Sequence, residues 1–305
     1  MLPEDYMQQV DLLIRILPYV ARHDLFALKG GSAINLFYRD LPRLSVDIDL
    51  TYLPIQDRAT SLMAIDRILE EIRCDIIDNM TDIVVRRISG GGDNNTRILV
   101  QEDDTQIKIE TSPVIRGTVH PTELRTACKA VSDHHGVVEI RLLSFEDLYS
   151  GKLNAALDRQ HPRDLFDVKL LYENEGLTDA LFRTFLIYVA SSGRPPHELI
   201  KPSFQEISQA FFNEFSGMST IPVSLDELTD VRARLVRDLH SRLDNRAMRF
   251  LLSLHDGSPD FEAIGLPQAA DLPAVRWKVL NLNKLKQQNP DKHAEQRRAI
   301  EALLS

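Results

Sequence analysis

Leu12, Leu13, Ile16 and Leu17 recur at the spacing of one helical face, which predicts an amphipathic helix over residues 4–22. The apolar run Leu25 to Leu28 ends in Gly30-Gly31, the pattern of a strand entering a tight turn. Ser32 offers an N-cap for a short helix over residues 33–38. Residues 45–52 (SVDIDLTY) alternate polar and apolar, the period of a half-buried strand, and Pro54 stops it. Residues 58–74 return to the helical period. Strand-like runs follow at 82–88, 96–101 and 106–114, and Gly90-Gly91-Gly92-Asp93-Asn94 between the first two is a turn signal. Residues 125–131 and 137–142 read as two more strands. Ser144 opens a helix to Asp158, and Pro162 opens another to Asn174.

From about residue 177 no strand alternation persists. Leu, Ala, Phe and Arg recur at helical spacing, broken by Pro195-Pro196, Pro202, Pro222, Pro259, Pro267 and Pro273. The pattern predicts an α+β fold: a mixed sheet with flanking helices over 1–176, then a helical C-terminal domain over 177–305.

Composition narrows the class. The chain has 305 residues, 43% of them hydrophobic and 27% charged, as in ordinary globular proteins. Cys74 and Cys128 are too few for a disulfide framework or a cysteine zinc site, which fits a reducing cytoplasm. No apolar run reaches the roughly 18–20 residues that span a bilayer, so no membrane partner is expected. The acidic, amphipathic N-terminus lacks the basic segment of a secretory signal. A net charge of −9 argues against a globally basic nucleic-acid coat but leaves local basic faces open.

Three features carry candidate chemistry. Gly30-Gly31-Ser32 stands at a strand-to-helix turn, where glycines admit a phosphate and backbone amides can face it. Asp47 and Asp49 are two apart on a strand, so they share a face while Ile48 turns to the core. Two carboxylates this close ask for a cation between them, and magnesium suits a site completed by substrate phosphates. Glu110, on the polar face opposite Ile107 and Ile109, could add a third acid for a metal site. Taken singly, each feature also reads as an ordinary turn or a solvated strand face.

Together they form a strand, a glycine-serine turn, a short helix, an acid pair on the next strand and a later acid. In this order the sequence resembles the nucleotidyltransferase superfamily of the DNA polymerase beta type. The resemblance sharpens over Arg43-Leu-Ser45-Val-Asp47-Ile-Asp49 and over Lys152-Leu-Asn-Ala-Ala-Leu-Asp-Arg159-Gln-His-Pro-Arg163-Asp164-Leu-Phe-Asp167. The second stretch is similar to the signature of the AbiEii/AbiGii toxin family, the toxin half of type IV toxin–antitoxin and phage-abortive systems. The resemblance covers residues 24–175 and, more weakly, the tail around Arg276-Trp277-Lys278; residues 178–270 contribute no motif.

The resemblance implies that Gly30, Gly31 and Ser32 hold a nucleoside triphosphate. It implies that Asp47 and Asp49 bind magnesium or manganese, with Glu110 added by its place in the fold. Lys152 would reach the phosphates, and Asp167 would be a functional acid preceded by Arg163 and Asp164. Arg43 and Ser45 belong to the first motif. The same Lys152, Arg159 and Asp167 also read as a surface salt network on helices, worth little each. The implied activity is transfer of a nucleoside monophosphate from an NTP to an RNA 3′ end, such as a tRNA acceptor end. A protein hydroxyl, a small-molecule acceptor or a catalytically silent module are the alternatives. A separately encoded antitoxin is implied as a partner; strict type IV behaviour implies no stable complex with it, and whether it binds the chain directly stays open.

Two C-terminal stretches are locally basic. Arg242, Arg246 and Arg249 fall at i, i+4 and i+7, which predicts one helical face that an RNA could track; a solvated face is the plainer reading. Trp277 is expected in the core or at a hinge. His134-His135 beside Gly136 reads as a solvent-facing turn rather than a metal site.

Overall fold

The computed structural model describes residues 4–88 and 96–304. The Gly90–Asn94 turn signal lies outside the described residues. The chain forms two compact units: residues up to Ser144 with Gly217–Pro222, and Phe145–Ser216 with the residues from Val223 on.

The first unit is built on seven strands, β1 (Phe26–Lys29), β2 (Asp47–Tyr52), β3 (Ile83–Ile88), β4 (Arg97–Glu102), β5 (Thr105–Thr111), β6 (Glu123–Thr126) and β7 (Glu139–Leu142). They form one mixed sheet in the order β3-β4-β5-β2-β1-β7-β6. β2 runs antiparallel to β1 and parallel to β5, which places it at the centre. Its helices are α1 (Glu4–Ala21), α2 (Gly30–Ala33), α3 (Arg58–Asn79) and α4 (Lys129–His135). Ile48, Leu50, Ile98, Ile107 and Ile109 are buried, as are Leu13 and Ile16 of α1 and Ile65, Leu69 and Ile72 of α3. The apolar half of each alternation therefore makes the core, and the polar half lies on the opposite face of the sheet.

Two local expectations are corrected. Ser32 is not an N-cap: α2 already begins at Gly30, after an extended Lys29, and the Ser32 hydroxyl donates to the backbone of β2. A π-helical turn over Ile34–Tyr38 continues it, closed by Arg39 N–H donating to the Ile34 carbonyl at 2.9 Å. The strand expected over 125–131 ends at Thr126, and α4 takes over. Asp40 accepts from the Ala130 N–H at 2.8 Å, a cap supplied from 90 residues away that periodicity does not reveal.

The second unit is helical: α5 (Phe145–Asp158), α6 (Pro162–Asn174), α7 (Asp179–Ser191), α8 (Pro196–Ile200), α9 (Ser208–Glu214), α10 (Leu225–Ser241), α11 (Asn245–His255), α12 (Pro273–Gln288) and α13 (Pro290–Glu301). A boundary near 176 was expected; in the contact pattern α5 and α6 group with the later helices instead. The reason is apolar burial. Leu153, Ala156 and Leu157 of α5 and Leu165 and Phe166 of α6 are fully buried, as are Leu181, Phe185 and Leu186 of α7. No helix among the described residues is long and apolar enough to cross a membrane.

Lys278 of α12 is only 7% exposed, and its ammonium donates to the Ser192 and Arg194 carbonyls at the end of α7. Burial pushes its pKa down to about 8 from 10.5. The unfolded chain therefore binds this proton more tightly, and stability should rise as the pH goes from 8 toward 10.5. Thermal unfolding of the wild type and Lys278→Met across that range checks it: the rise should be present in the first and absent from the second.

Candidate active site

The central strand carries the acid pair. Asp47 and Asp49 lie half-buried on one face of β2, with Ile48 and Leu50 buried on the other. The register aligns Lys29 of β1, Asp49 of β2, Glu110 of β5 and Arg97 of β4 in one row across four strands. Asp47 stands one step along, beside Lys108. Alternation puts all of these side chains on the same face.

Charge along the row is uneven. Burial raises the Asp49 pKa; Asp47 and Glu110 add to the rise, while Lys29 and Lys108 oppose it. Glu110 behaves differently. Burial would raise it too, but Lys108 Nζ at 2.9 Å and Arg97 Nη2 at 2.6 Å reverse this and hold it below the ordinary range. Both Glu110 oxygens are thus engaged by cations. Among the described residues no group of three or more His, Cys, Asp or Glu side chains is arranged to hold a metal. In this structure Glu110 stands beside Asp49 in the row and anchors Lys108 and Arg97. Lys29, Arg97 and Lys108 were not singled out from the sequence. Lys108 was legible as a face-mate of Glu110, but Lys29 and Arg97 join the row only through strand register.

The glycine-serine turn packs directly on the acids. Gly30 has φ +77°, and a Cβ there would stand 2.5 Å from Asp49 Oδ2. A Cβ on Gly31 would meet the Ser45 hydroxyl and stand 2.9 Å from Arg43 Nη2. Only glycine lets this backbone approach so closely. Ser32 is buried, and its hydroxyl donates to the Asp47 carbonyl, with Ser45 Oγ 3.3 Å away. It ties the turn to β2 from inside. Arg43, 2% exposed, donates to the Leu44 carbonyl and backs the same turn. Gly30→Ala should lower kcat/KM by about 10²-fold, the cost of an ångström-scale misplacement. Steady-state kinetics beside a thermal melt check this; a variant with full activity would show that the turn does not set the site.

The pair fits a divalent cation. Two half-buried carboxylates, one with a raised proton affinity, leave negative charge that a cation would neutralise. Magnesium needs only one or two carboxylates when phosphates and water supply the rest of its shell.

The second motif folds into a buried ion network on α5 and α6. Lys152 Nζ lies 2.8 Å from Asp164 Oδ1 and 2.8 Å from Asp167 Oδ2. Both acids are fully buried and Lys152 is 6% exposed. Arg159 Nη2 donates to Asp164 Oδ1 at 3.0 Å, and Arg159 Nε pairs with the other oxygen. Burial alone would raise Asp164, but Lys152 and then Arg159 hold it far below the usual carboxylate range. The alternative of a surface network on exposed helix faces is thus corrected: only Arg159 reaches solvent, with its side chain 63% exposed. Arg163 is half-buried, and its backbone N–H donates to His161 Nδ1 at 3.1 Å at the start of α6.

The expected basic helical face does not form. Arg242 follows α10, whereas Arg246 and Arg249 belong to α11, because Asp244 caps a new helix through the Ala247 N–H. Arg249 pairs with Asp260 at 2.6 Å. Trp277 is 58% exposed on α12, not in the core. His134 and His135 fall at the end of α4 rather than in a turn.

A mixed sheet with a glycine turn packed against paired strand acids defines the nucleotidyltransferase class. The profile of the AbiEii nucleotidyltransferase toxins of type IV toxin–antitoxin systems matches residues 11–266, and the chain belongs to that family. Its fold is similar to that of MenT4, a nucleotidyltransferase toxin from Mycobacterium tuberculosis H37Rv. The TM-score is 0.63 at 16% identity, over 92% of this chain and 93% of that one. No curated protein matches the sequence.

Proposed function

We propose that this nucleotidyltransferase moves a nucleoside monophosphate from an NTP onto an RNA 3′ end, with a tRNA acceptor end as the favoured target. The observation that carries the reading is the close packing of Gly30 on Asp49, which brings a phosphate-admitting turn to the acid pair. The turn amides bind and orient the triphosphate. Asp47 and Asp49 hold magnesium or manganese, which when bound offsets charge on the phosphates. The acceptor hydroxyl oxygen bonds to the α-phosphorus as the bond to the bridging oxygen breaks. Pyrophosphate leaves with that electron pair. The hydroxyl proton passes to a β2 carboxylate or to water. Lys108 and Arg97, tied to Glu110, and Lys29 beside Asp49 keep positive charge on this face. Lys152 of the second motif has its ammonium held by Asp164 and Asp167. As a toxin, the enzyme would arrest growth by disabling that RNA, opposed by a separately encoded antitoxin.

The test incubates the full chain with magnesium, each α-labelled NTP in turn, and total cell RNA and protein. Label on small RNA supports the reading. Label on protein bands moves the acceptor to a protein hydroxyl. No label on any acceptor, from a preparation that binds NTP, overturns transfer.

A further inference from the structure

The helical unit contains a pocket that the chemistry above does not use. It encloses about 240 Å³, with Phe182, Leu186, Ala247 and Ile264 among its walls and Arg183, Arg242 and Arg246 around it. That volume is below the 300–1,000 Å³ of most small-molecule sites, so it suits a compact charged group rather than a whole nucleotide.

The three arginines are not equivalent. Arg242 is committed: it pairs with Asp179 and donates to the Leu177 carbonyl. Asp179 and Asp244 also line the pocket; the first is paired with Arg242, and the second caps α11 through the Ala247 N–H. Arg246 uses only Nε, which donates to the Ala263 carbonyl at 2.9 Å. Arg183 is exposed and has no ion pair among the described residues. Its Nη1 lies 3.8 Å from where a Gly265 Cβ would stand, so Arg183 and Arg246 converge on one turn, residues 263–265. Both guanidinium groups keep donors to spare at the pocket, and a guanidinium's planar fork matches phosphate oxygens in pairs.

We propose that the pocket of Arg183, Arg242 and Arg246 is a phosphate-binding subsite, occupied by a phosphodiester of the RNA acceptor or by a free phosphate. The RNA source rests on the acceptor reading above; phosphate binding itself does not. Arg242 positions the wall, while Arg183 and Arg246 touch the oxyanion.

The experiment is done without NTP or magnesium, so it stands apart from catalysis. Inorganic phosphate is titrated by calorimetry, and a fluorescent single-stranded oligoribonucleotide by anisotropy, at several salt concentrations. The proteins are wild type, Arg183→Ala/Arg246→Ala, Arg183→Lys and, as a charge control, Arg249→Ala. Both changed residues are exposed, so melting temperatures should match the wild type. The double variant should lose at least fivefold in phosphate affinity, and Arg183→Lys should recover part of it. Loss of RNA affinity too, with the salt slope reduced by about 0.7 per phosphate contact removed, assigns the site to the acceptor strand. Loss for phosphate alone assigns it to a free phosphate. No phosphate binding by the wild type, or equal losses in Arg249→Ala, overturns the proposal.

Discussion

Asp164→Ala is expected to lower the unfolding free energy by about 3–5 kcal/mol, the usual cost of removing one partner from a buried ion pair. Lys152 and Arg159 face Asp164 and Asp167, two cations against two anions. Deleting Asp164 leaves an ammonium that is 6% exposed with one partner in place of two. Arg159→Ala should cost far less, because its side chain is largely in solvent. Urea unfolding of the two variants beside the wild type checks the order. The pH dependence follows from the direction of the shift. A carboxyl held below its unfolded pKa stabilises the fold above that pKa, about 4. The contribution is lost as the pH falls through the folded value. The wild type should lose stability below pH 4 more steeply than Asp164→Ala does.

Asp49→Asn is expected to lower nucleotidyl transfer by about 10³-fold or more, the scale seen when a preorganised charge-stabilising group is removed. In metal-free buffer the same change should leave the thermal midpoint unchanged or raise it. Burial, Asp47 and Glu110 all raise the Asp49 pKa, so its ionised form opposes folding. Stability should therefore increase as the pH falls through the folded pKa, and Asp49→Asn should lack that increase. Such a group is maintained against stability, as expected where function needs charge in a confined place. Glu110→Gln should behave in the opposite way: it loses two ion pairs and destabilises, with a smaller effect on transfer. Melts at several pH values and initial rates on the same preparations separate the two residues.

The parts of this account legible in the sequence are those set by local periodicity. Asp47-Ile48-Asp49 and Ile107-Lys108-Ile109-Glu110 alternate, so which side chains share a face follows from strand geometry alone. The Gly30-Gly31 turn stood out by residue type, although the reason for Gly30, a neighbouring carboxylate, needed the pairing of β1 with β2. What was not legible depends on register and on packing between helices. Arg97 reaches Glu110 only because β4 and β5 pair in that register. Lys152 and Asp164 are 12 residues apart on two helices, and nothing in their spacing shows that both are buried. Arg242 and Arg246 have helical spacing but sit on either side of a cap, since Asp244 starts a new helix. Trp277 reads as a core or hinge residue, yet α12 leaves it mostly in solvent.

The central claim is that the β2 acid pair carries nucleotidyl transfer. The most direct measurement is incorporation of α-labelled NTP into small RNA by wild type, Asp47→Asn and Asp49→Asn, at equal folded fractions fixed by circular dichroism. Label is expected with the wild type, and loss of about 10³-fold or more in both variants while their melts stay intact. Wild-type incorporation by either folded variant would contradict it.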